Sequence, residues 1–396
     1  MSAENEILLN QGLAQTTLFP FAIEVDRAEG IYIYEPSGKR YMDFISGVGV
    51  SNIGHGNRMV LDAIHQQVEK HLHVMVYGEY IQSAQHRAAS SLQSILPPQL
   101  DCCYFVNSGT EANEAAMKLA KRITGRHRMV SFRGAYHGNT QGSMSISSNE
   151  SKKRAFRPLI PGVQFIDLND HTQLEQIDQH TAAVFLETIQ GDAGIRIPDA
   201  SYLRALRERC NAVGAMLVFD EIQCGMGRTG KFFAFEHYDI VPDILTLGKA
   251  LGGGMPVGCM IASTERMKLL THDPMLGHIS TFAGHPVICS AVRATIEWMK
   301  SSRVLDSIER KSQRITSRLG QHPKIRAIRS KGFYFALDMT SAEEVHHVVT
   351  ELLQRGIITF WFLSCPWSFR IAPPLILTDE ELEHACDVIL EVLDTI

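Results

Sequence analysis

Lys249 is the residue on which chemistry could be built. It stands in Thr246-Leu247-Gly248-Lys249-Ala250-Leu251-Gly252-Gly253-Gly254, just past an apolar run and among glycines that let a bulky ligand approach the backbone. A primary amine in such a place can act as a Schiff-base nucleophile. Taken alone, the same residue reads as a surface lysine in a flexible turn, because lysine is usually exposed. The neighbouring motifs change that balance. Upstream, the apolar run Ala215–Phe219 ends in Asp220-Glu221-Ile222-Gln223, which puts a carboxylate at the C-terminal end of a buried strand. Ligands of open α/β sheets bind at that edge. An aspartate there can hydrogen-bond a pyridine nitrogen and keep it protonated, making the ring an electron sink when a substrate Cα–H bond breaks. Asp220 by itself fits a helix N-cap equally well.

Further motifs supply the rest of a site. Val106-Asn107-Ser108-Gly109-Thr110-Glu111 joins a strand to a helix through small residues, where free N–H groups and the helix dipole favour a phosphate. Ser108 and Glu111 also fit a plain capping box, so the motif divides evenly between anion site and cap. Ser280-Thr281 could bring a second phosphate hydroxyl. Ala135-Tyr136-His137-Gly138 follows a strand, so the Tyr136 ring could lie flat on a cofactor ring or could simply pack in the core. Arg370 stands in the apolar segment Phe369–Pro374, where an unpaired charge is expensive to bury. A substrate carboxylate gripped in bidentate fashion explains it, as does a structural ion pair. The aromatic stretch Trp361–Trp367, with Phe360 and Phe369 beside it, could shape a pocket near Arg370 or pack in the core.

These residues need a scaffold, and the sequence predicts one. From about Asp101 to Ala262 short apolar runs alternate with amphipathic stretches, the pattern of a parallel sheet wrapped by helices. The expected strands are Cys103–Val106, Met129–Phe132, Ala183–Leu186, Met216–Phe219, Ile244–Leu247 and Gly258–Ala262. Helices are expected over Glu111–Ile123, with Ala112, Ala116, Leu119 and Ile123 on one face, and over Ser201–Val213. The C-terminal part changes character: a strand pair in Ile325–Asp338, a helix over Ala342–Gln354, and a last helix over Asp379–Leu393 opened by a Thr378/Glu381 capping box. A strand meander over Glu24–Phe44, turned at Pro36-Ser37-Gly38, could join that part. The expected division is 1–50 for the N-terminal segment and meander, 51–290 for the large domain and 291–396 for a small α+β domain.

Composition bounds the function classes. At 396 residues the chain exceeds what one core usually organises. A hydrophobic content of 45% with 20% charged residues is that of an ordinary folded protein. The net charge of −5 is too weak to suggest nucleic acid. Apolar stretches such as Ile357–Leu363 are far too short for a membrane helix, and no basic residue precedes Arg27, which argues against a leader peptide. Eight scattered cysteines without a C-x-x-C spacing predict reduced thiols in a cytoplasmic protein rather than disulfides or a metal site.

In order along the chain, Ser108-Gly109-Thr110-Glu111-Ala112, Tyr136-His137-Gly138, Glu187-x-x-Gln190-Gly191, Asp220-Glu221-Ile222-Gln223 with Gly227-Arg228-Thr229-Gly230, and Gly248-Lys249 resemble the class III aminotransferases. These enzymes depend on pyridoxal phosphate (PLP) and include the ornithine, acetylornithine and 4-aminobutyrate aminotransferases. The resemblance runs from about Phe21 to the C-terminus. It implies a fold type I α/β protein, with a large mostly parallel-sheet domain plus a smaller α+β domain, forming a homodimer with shared active sites. It also implies that Lys249 holds PLP as a Schiff base and that Asp220 pairs with its pyridine nitrogen. Gln223 would sit near the ring hydroxyl, and Tyr136 would stack on the ring, with His137 and Glu187 in the same site. Ser108, Gly109 and Thr110 would serve the phosphate, completed by Thr281 of the partner subunit, and Arg370 would take a substrate carboxylate.

Two positions depart from the family pattern. Members that use 2-oxoglutarate commonly carry arginine where this chain has Asn139, so a second carboxylate clamp is missing from the motif. A glutamate often ends the Glu-x-x-Gln-Gly motif and swings onto the carboxylate-binding arginine; here it is Asp192, one methylene shorter. The expected reaction moves an amino group from an amino acid or ω-amine donor to a keto-acid acceptor. An intramolecular aminomutase shares the cofactor motifs, and a non-catalytic protein that kept the fold is the reading from another class.

Overall fold

The computed structural model describes residues 12–17 and 20–396, so part of the expected N-terminal unit, residues 1–11 and 18–19, lies outside it. Its centre is a seven-stranded sheet. After the three short strands of the meander, β1 (Arg27–Glu29), β2 (Tyr32–Tyr34) and β3 (Arg40–Asp43), its strands in chain order are β4 (Cys102–Val106), β5 (Arg128–Phe132), β6 (Val163–Ile166), β7 (Thr181–Glu187), β8 (Met216–Asp220), β9 (Ile244–Gly248) and β10 (Gly258–Ala262). They lie side by side as β4-β10-β9-β8-β7-β5-β6. β5 through β9 pair in parallel, whereas β10 runs antiparallel to both neighbours. The expected parallel sheet therefore holds one reversed strand. β6 is a strand that the sequence reading missed, because Val163-Gln164-Phe165-Ile166 is short, interrupted by Gln164 and only partly buried at the sheet edge.

β7 and β9 are buried along their whole length, and β8 is buried from Leu217 onward. That is why they read as continuous apolar runs rather than alternating ones. Buried leucine, valine and phenylalanine side chains each contribute roughly 1.5–3 kcal/mol by leaving water. The helix Gly109–Thr124 packs across this sheet, burying Ala112, Ala115, Ala116, Leu119 and Ala120 together with Asn113. Its buried face is wider than the expected stripe because alanines let the helix approach closely. Gly125 closes it in the left-handed conformation at φ +66°.

Two smaller sheets flank the large one. β1 (Arg27–Glu29), β2 (Tyr32–Tyr34) and β3 (Arg40–Asp43) form the expected meander, and β13 (Ile357–Ile358) adds to it in parallel beside β3. β11 (Ala327–Ser330) and β12 (Phe335–Asp338) are the expected pair, extended by β15 (Ser368–Ile371) and β14 (Phe360–Trp361). The final helix Asp379–Asp394 starts at Thr378 with the full capping box to Glu381 and buries Leu382, Ala385, Cys386, Ile389, Val392 and Leu393. No helix among the described residues is long and apolar enough to cross a membrane. All eight cysteines are free thiols.

Candidate active site

The carboxyl ends of β7, β8 and β9 bring three residues into register. Glu187 pairs with Asp220, Asp220 pairs with Thr246, and Lys249 follows β9 directly. Lys249 adopts φ +45°, a conformation a side chain rarely takes, which turns it off the strand axis. Gly248 makes that exit possible: a Cβ there would stand 3.1 Å from the Val257 carbonyl and 3.4 Å from the Gly109 Cα, so the end of β9 and the start of the helix touch. The glycines after Lys249 serve a different purpose from the expected one. Gly253 turns at φ +57° against Thr295, and Gly252 packs on Val257, so neither borders a ligand space.

Lys249, Asp220, Glu187, Gly109, Thr110, Tyr136, His137, Asn139 and Gln223 line one cavity of about 250 Å³. Desolvation holds the Lys249 ammonium below the ordinary lysine pKa. Asp220 and Glu187 oppose that shift, and Arg370 reinforces it. Asp220 is nearly sealed and well supplied with donors. Its Oδ2 receives His137 Nδ1 at 2.7 Å and Asn113 Nδ2 at 2.8 Å, and its Oδ1 receives the Ile222 N–H at 3.0 Å. Asn113 also donates to the His137 carbonyl at 2.8 Å and accepts from Thr246 Oγ1 at 2.9 Å. Glu187 accepts the N–H groups of Tyr136 (2.9 Å) and Gly191 (3.0 Å), while burial pushes its carboxyl up to about 7.

At the helix start, Ser108 acts as the cap, its Oγ accepting the Glu111 N–H at 3.3 Å. Glu111 does not complete the box; its carboxylate turns back to Asn107, accepting the backbone N–H at 2.7 Å and Nδ2 at 3.1 Å. The first intrahelical bond is Ala112 N–H to the Ser108 carbonyl, which leaves the N–H groups of Gly109 and Thr110 at the mouth of the cavity. Thr281 lies apart from the cavity, exposed beside a surface depression lined by Val106, Glu111, Glu114 and Lys118. Ser280 reaches Asn107, whose Nδ2 donates to its Oγ at 2.8 Å.

A second cavity of about 670 Å³ adjoins the first and shares Tyr136, Asn139, Gln223 and Lys249 with it. Arg370, Asp192 and Lys152 line its far part. Arg370 projects from β15, donates to the Trp361 carbonyl at 3.2 Å and stands 4.8 Å over the Phe362 ring, with Asp192 at 4.0 Å. Its Nε is buried without a partner. The aromatic stretch therefore frames the guanidinium, while Leu363 is its member that lines the cavity.

The geometry agrees with what the comparisons find. The Aminotransferase class-III profile matches residues 14–393. This chain belongs to the class III aminotransferases. It is 35% identical over 370 residues to the acetylornithine aminotransferase of Archaeoglobus fulgidus, covering 93% of this chain and 95% of that one. It is 34% identical over 375 residues to the [LysW]-aminoadipate semialdehyde/glutamate semialdehyde transaminase of Sulfolobus acidocaldarius, covering 94% and 95%. Among solved structures, the ornithine aminotransferase from Toxoplasma gondii superposes with a TM-score of 0.92 at 27% identity, covering 99% of this chain and 94% of that one. The protein is a PLP-dependent, fold type I transaminase.

The residues of this aminotransferase fit that cofactor. Asp220 Oδ1 has one hydrogen bond and so keeps acceptor capacity on the cavity wall. A Cβ on Gly109 would strike Ile222 at 2.8 Å, so glycine is what lets the helix start pack against Ile222 in the cavity wall. The sequence reading missed Asn113, whose buried amide gave no pattern within a helix of alanines, and Lys152, which belongs to no motif.

Proposed function

We propose that Lys249 carries PLP as a Schiff base and that the second cavity receives an amino-acid donor whose carboxylate is bound by Arg370, the amino group then passing to a keto-acid acceptor. The observation that carries this reading is that Lys249 borders both cavities, with Asp220 in the first and Arg370 in the second. When bound, PLP supplies a protonated aromatic ring that accepts the electron pair of a substrate carbon losing its proton.

The chain's own residues divide the remaining work. Asp220, held in position by His137, Asn113 and the Ile222 N–H, would accept a hydrogen bond from the ring nitrogen and keep a proton there. Gly109 and Thr110 offer N–H groups to the phosphate. Tyr136 would cover the ring and limit the access of water, and Gln223 would serve the ring hydroxyl, both lining the same cavity. Once its amine is free, Lys249 would act as the base that takes the proton from the substrate carbon; its lowered pKa keeps part of the amine neutral for that task. Arg370, with an unpartnered buried Nε, orients the carboxylate end. The names of the relatives, acetylornithine and aminoadipate or glutamate semialdehyde transaminases, favour a donor whose reacting amine is remote from its carboxylate.

The same reading includes a homodimer in the cytoplasm. The exposed apolar residues Met275, Leu276, Ile279 and Phe282 surround Thr281 on one surface, which a second copy would cover while bringing Thr281 to the other subunit's phosphate. Eight free thiols suit a reducing compartment. The division into a large unit, 51–290, and a small one, 291–396, is also part of the proposal, supported by the separate sheets.

The experiment is a panel of α-amino acids, ω-amino acids and diamines, each added without acceptor to the PLP-loaded protein while the cofactor absorbance is followed. A transaminase halts after one half-turnover and restarts on addition of a keto acid. Continued product formation without acceptor would establish a mutase instead, and no response to any donor would end the reading.

A further inference from the structure

Lys152 is a charged residue of the second cavity that the motifs do not account for. It stands on the short helix Glu150–Lys153, and its Nζ reaches Asp192 Oδ2 at 2.8 Å. The same Oδ2 accepts Ser364 Oγ at 2.6 Å, and Oδ1 accepts the Leu363 N–H at 3.2 Å. Asn149, the cap of the Lys152 helix, donates to Ser364 Oγ at 2.9 Å and closes the circuit. Two cations thus compete for one carboxylate, and they do so unequally. Lys152 is at hydrogen-bonding distance, whereas the Arg370 guanidinium is 4.0 Å away. Since attraction falls with distance and a direct hydrogen bond adds to it, Asp192 belongs to Lys152. Its short side chain, held by Lys152, Ser364 and Leu363, cannot serve Arg370 as well without giving up those bonds.

From this arrangement we propose that Lys152 is a specificity-determining positioning residue: it holds Asp192 off Arg370, so that the guanidinium stays open to a carboxylate on the substrate. The proposal rests on the reading that Arg370 binds that carboxylate. It assigns the site to carboxylate-bearing substrates in both half-reactions and gives amines without a carboxylate no neutralising partner for Arg370. Without Lys152, Asp192 would turn to Arg370 and compete with the ligand.

The test is calorimetric binding of glutarate, an unreactive dicarboxylate, to the PLP-loaded protein and its variants, with retention of the cofactor absorbance as the control for folding. Lys152→Met is expected to weaken glutarate binding by about tenfold, and Lys152→Arg to restore it. The double variant Lys152→Met/Asp192→Asn separates the proposed role from direct contact of Lys152 with the ligand. Recovery of binding in the double variant supports positioning through Asp192. Binding that stays weak in it, or that Lys152→Met leaves unchanged, overturns the proposal. Glutarate binding that survives Arg370→Gln, or none to the parent protein, removes the reading of Arg370 on which the proposal stands.

Discussion

His137 Nδ1 and Asp220 Oδ2 lie 2.7 Å apart with both side chains almost wholly sealed from solvent. The other ring nitrogen of His137 is buried and has no partner. The histidine therefore commits its one hydrogen bond to steadying the carboxylate at the sheet edge, and Asn113 adds a second. Together with the Ile222 N–H on Oδ1, these donors fix the orientation of the carboxylate at the cavity wall.

Replacing the amine is the most direct test of the chemistry. Lys249→Ala is expected to lower turnover by at least about a hundredfold while the circular dichroism spectrum and melting temperature stay close to the parent. Borohydride trapping and peptide mapping of the parent should put the reduced label at position 249. Undiminished multiple turnover by the variant, with no amine added, would refute the assignment.

Asn113→Ala removes bonds to Asp220, to the His137 carbonyl and to Thr246 at once. Each buried partner left unsatisfied costs about 1–3 kcal/mol, so a clear fall in denaturant midpoint is expected. Loss of rate should accompany it, because Asp220 loses a donor. A variant with parental rate and stability would mean that water or a shifted side chain replaces the amide fully.

Burial pushes the Glu221 carboxyl up to about 8, even though it accepts the N–H groups of Ala234 (2.6 Å) and Phe235 (2.7 Å). The folded state then binds a proton that the unfolded chain, with its ordinary carboxyl pKa of 4.5, has released. Stability contributed by this group is therefore intact at low pH and declines as pH rises through that interval, with a slope of up to about 1.4 kcal/mol per pH unit. Denaturation midpoints taken across the interval should show this decline, and Glu221→Gln should flatten it. An identical pH profile in the variant would exclude Glu221 as the source.

Asn139 borders both cavities. Introducing a guanidinium there, as Asn139→Arg, should raise kcat/KM for 2-oxoglutarate relative to pyruvate by about tenfold through contact with the second carboxylate. Steady-state kinetics with the two acceptors decides it. An unchanged ratio would indicate that position 139 does not face the distal end of the acceptor.

Strands that are buried on both faces were legible as apolar runs, and Thr378 with Glu381 announced the start of the last helix to the residue. β6 was not legible, since an edge strand half open to solvent carries no clear period. Lys249 and Asp220 drew attention by their places just past apolar strands, Arg370 by the cost of an unpaired charge in an apolar segment, and Glu187 only through the family motif. Asn113 and Lys152 carried no such mark: an amide in a helix and a lysine in a short charged stretch are ordinary in sequence.

The amino-acid order by itself determined the family, the α/β scaffold and the ends of strands at which reactive side chains stand, because burial and turn chemistry act over a few residues. Only the tertiary structure decided which residues meet. The reversed β10, the sharing of Lys249 between two cavities, and the capture of Asp192 by Lys152 rather than Arg370 all depend on distances between segments far apart in the chain, and no local pattern fixes those.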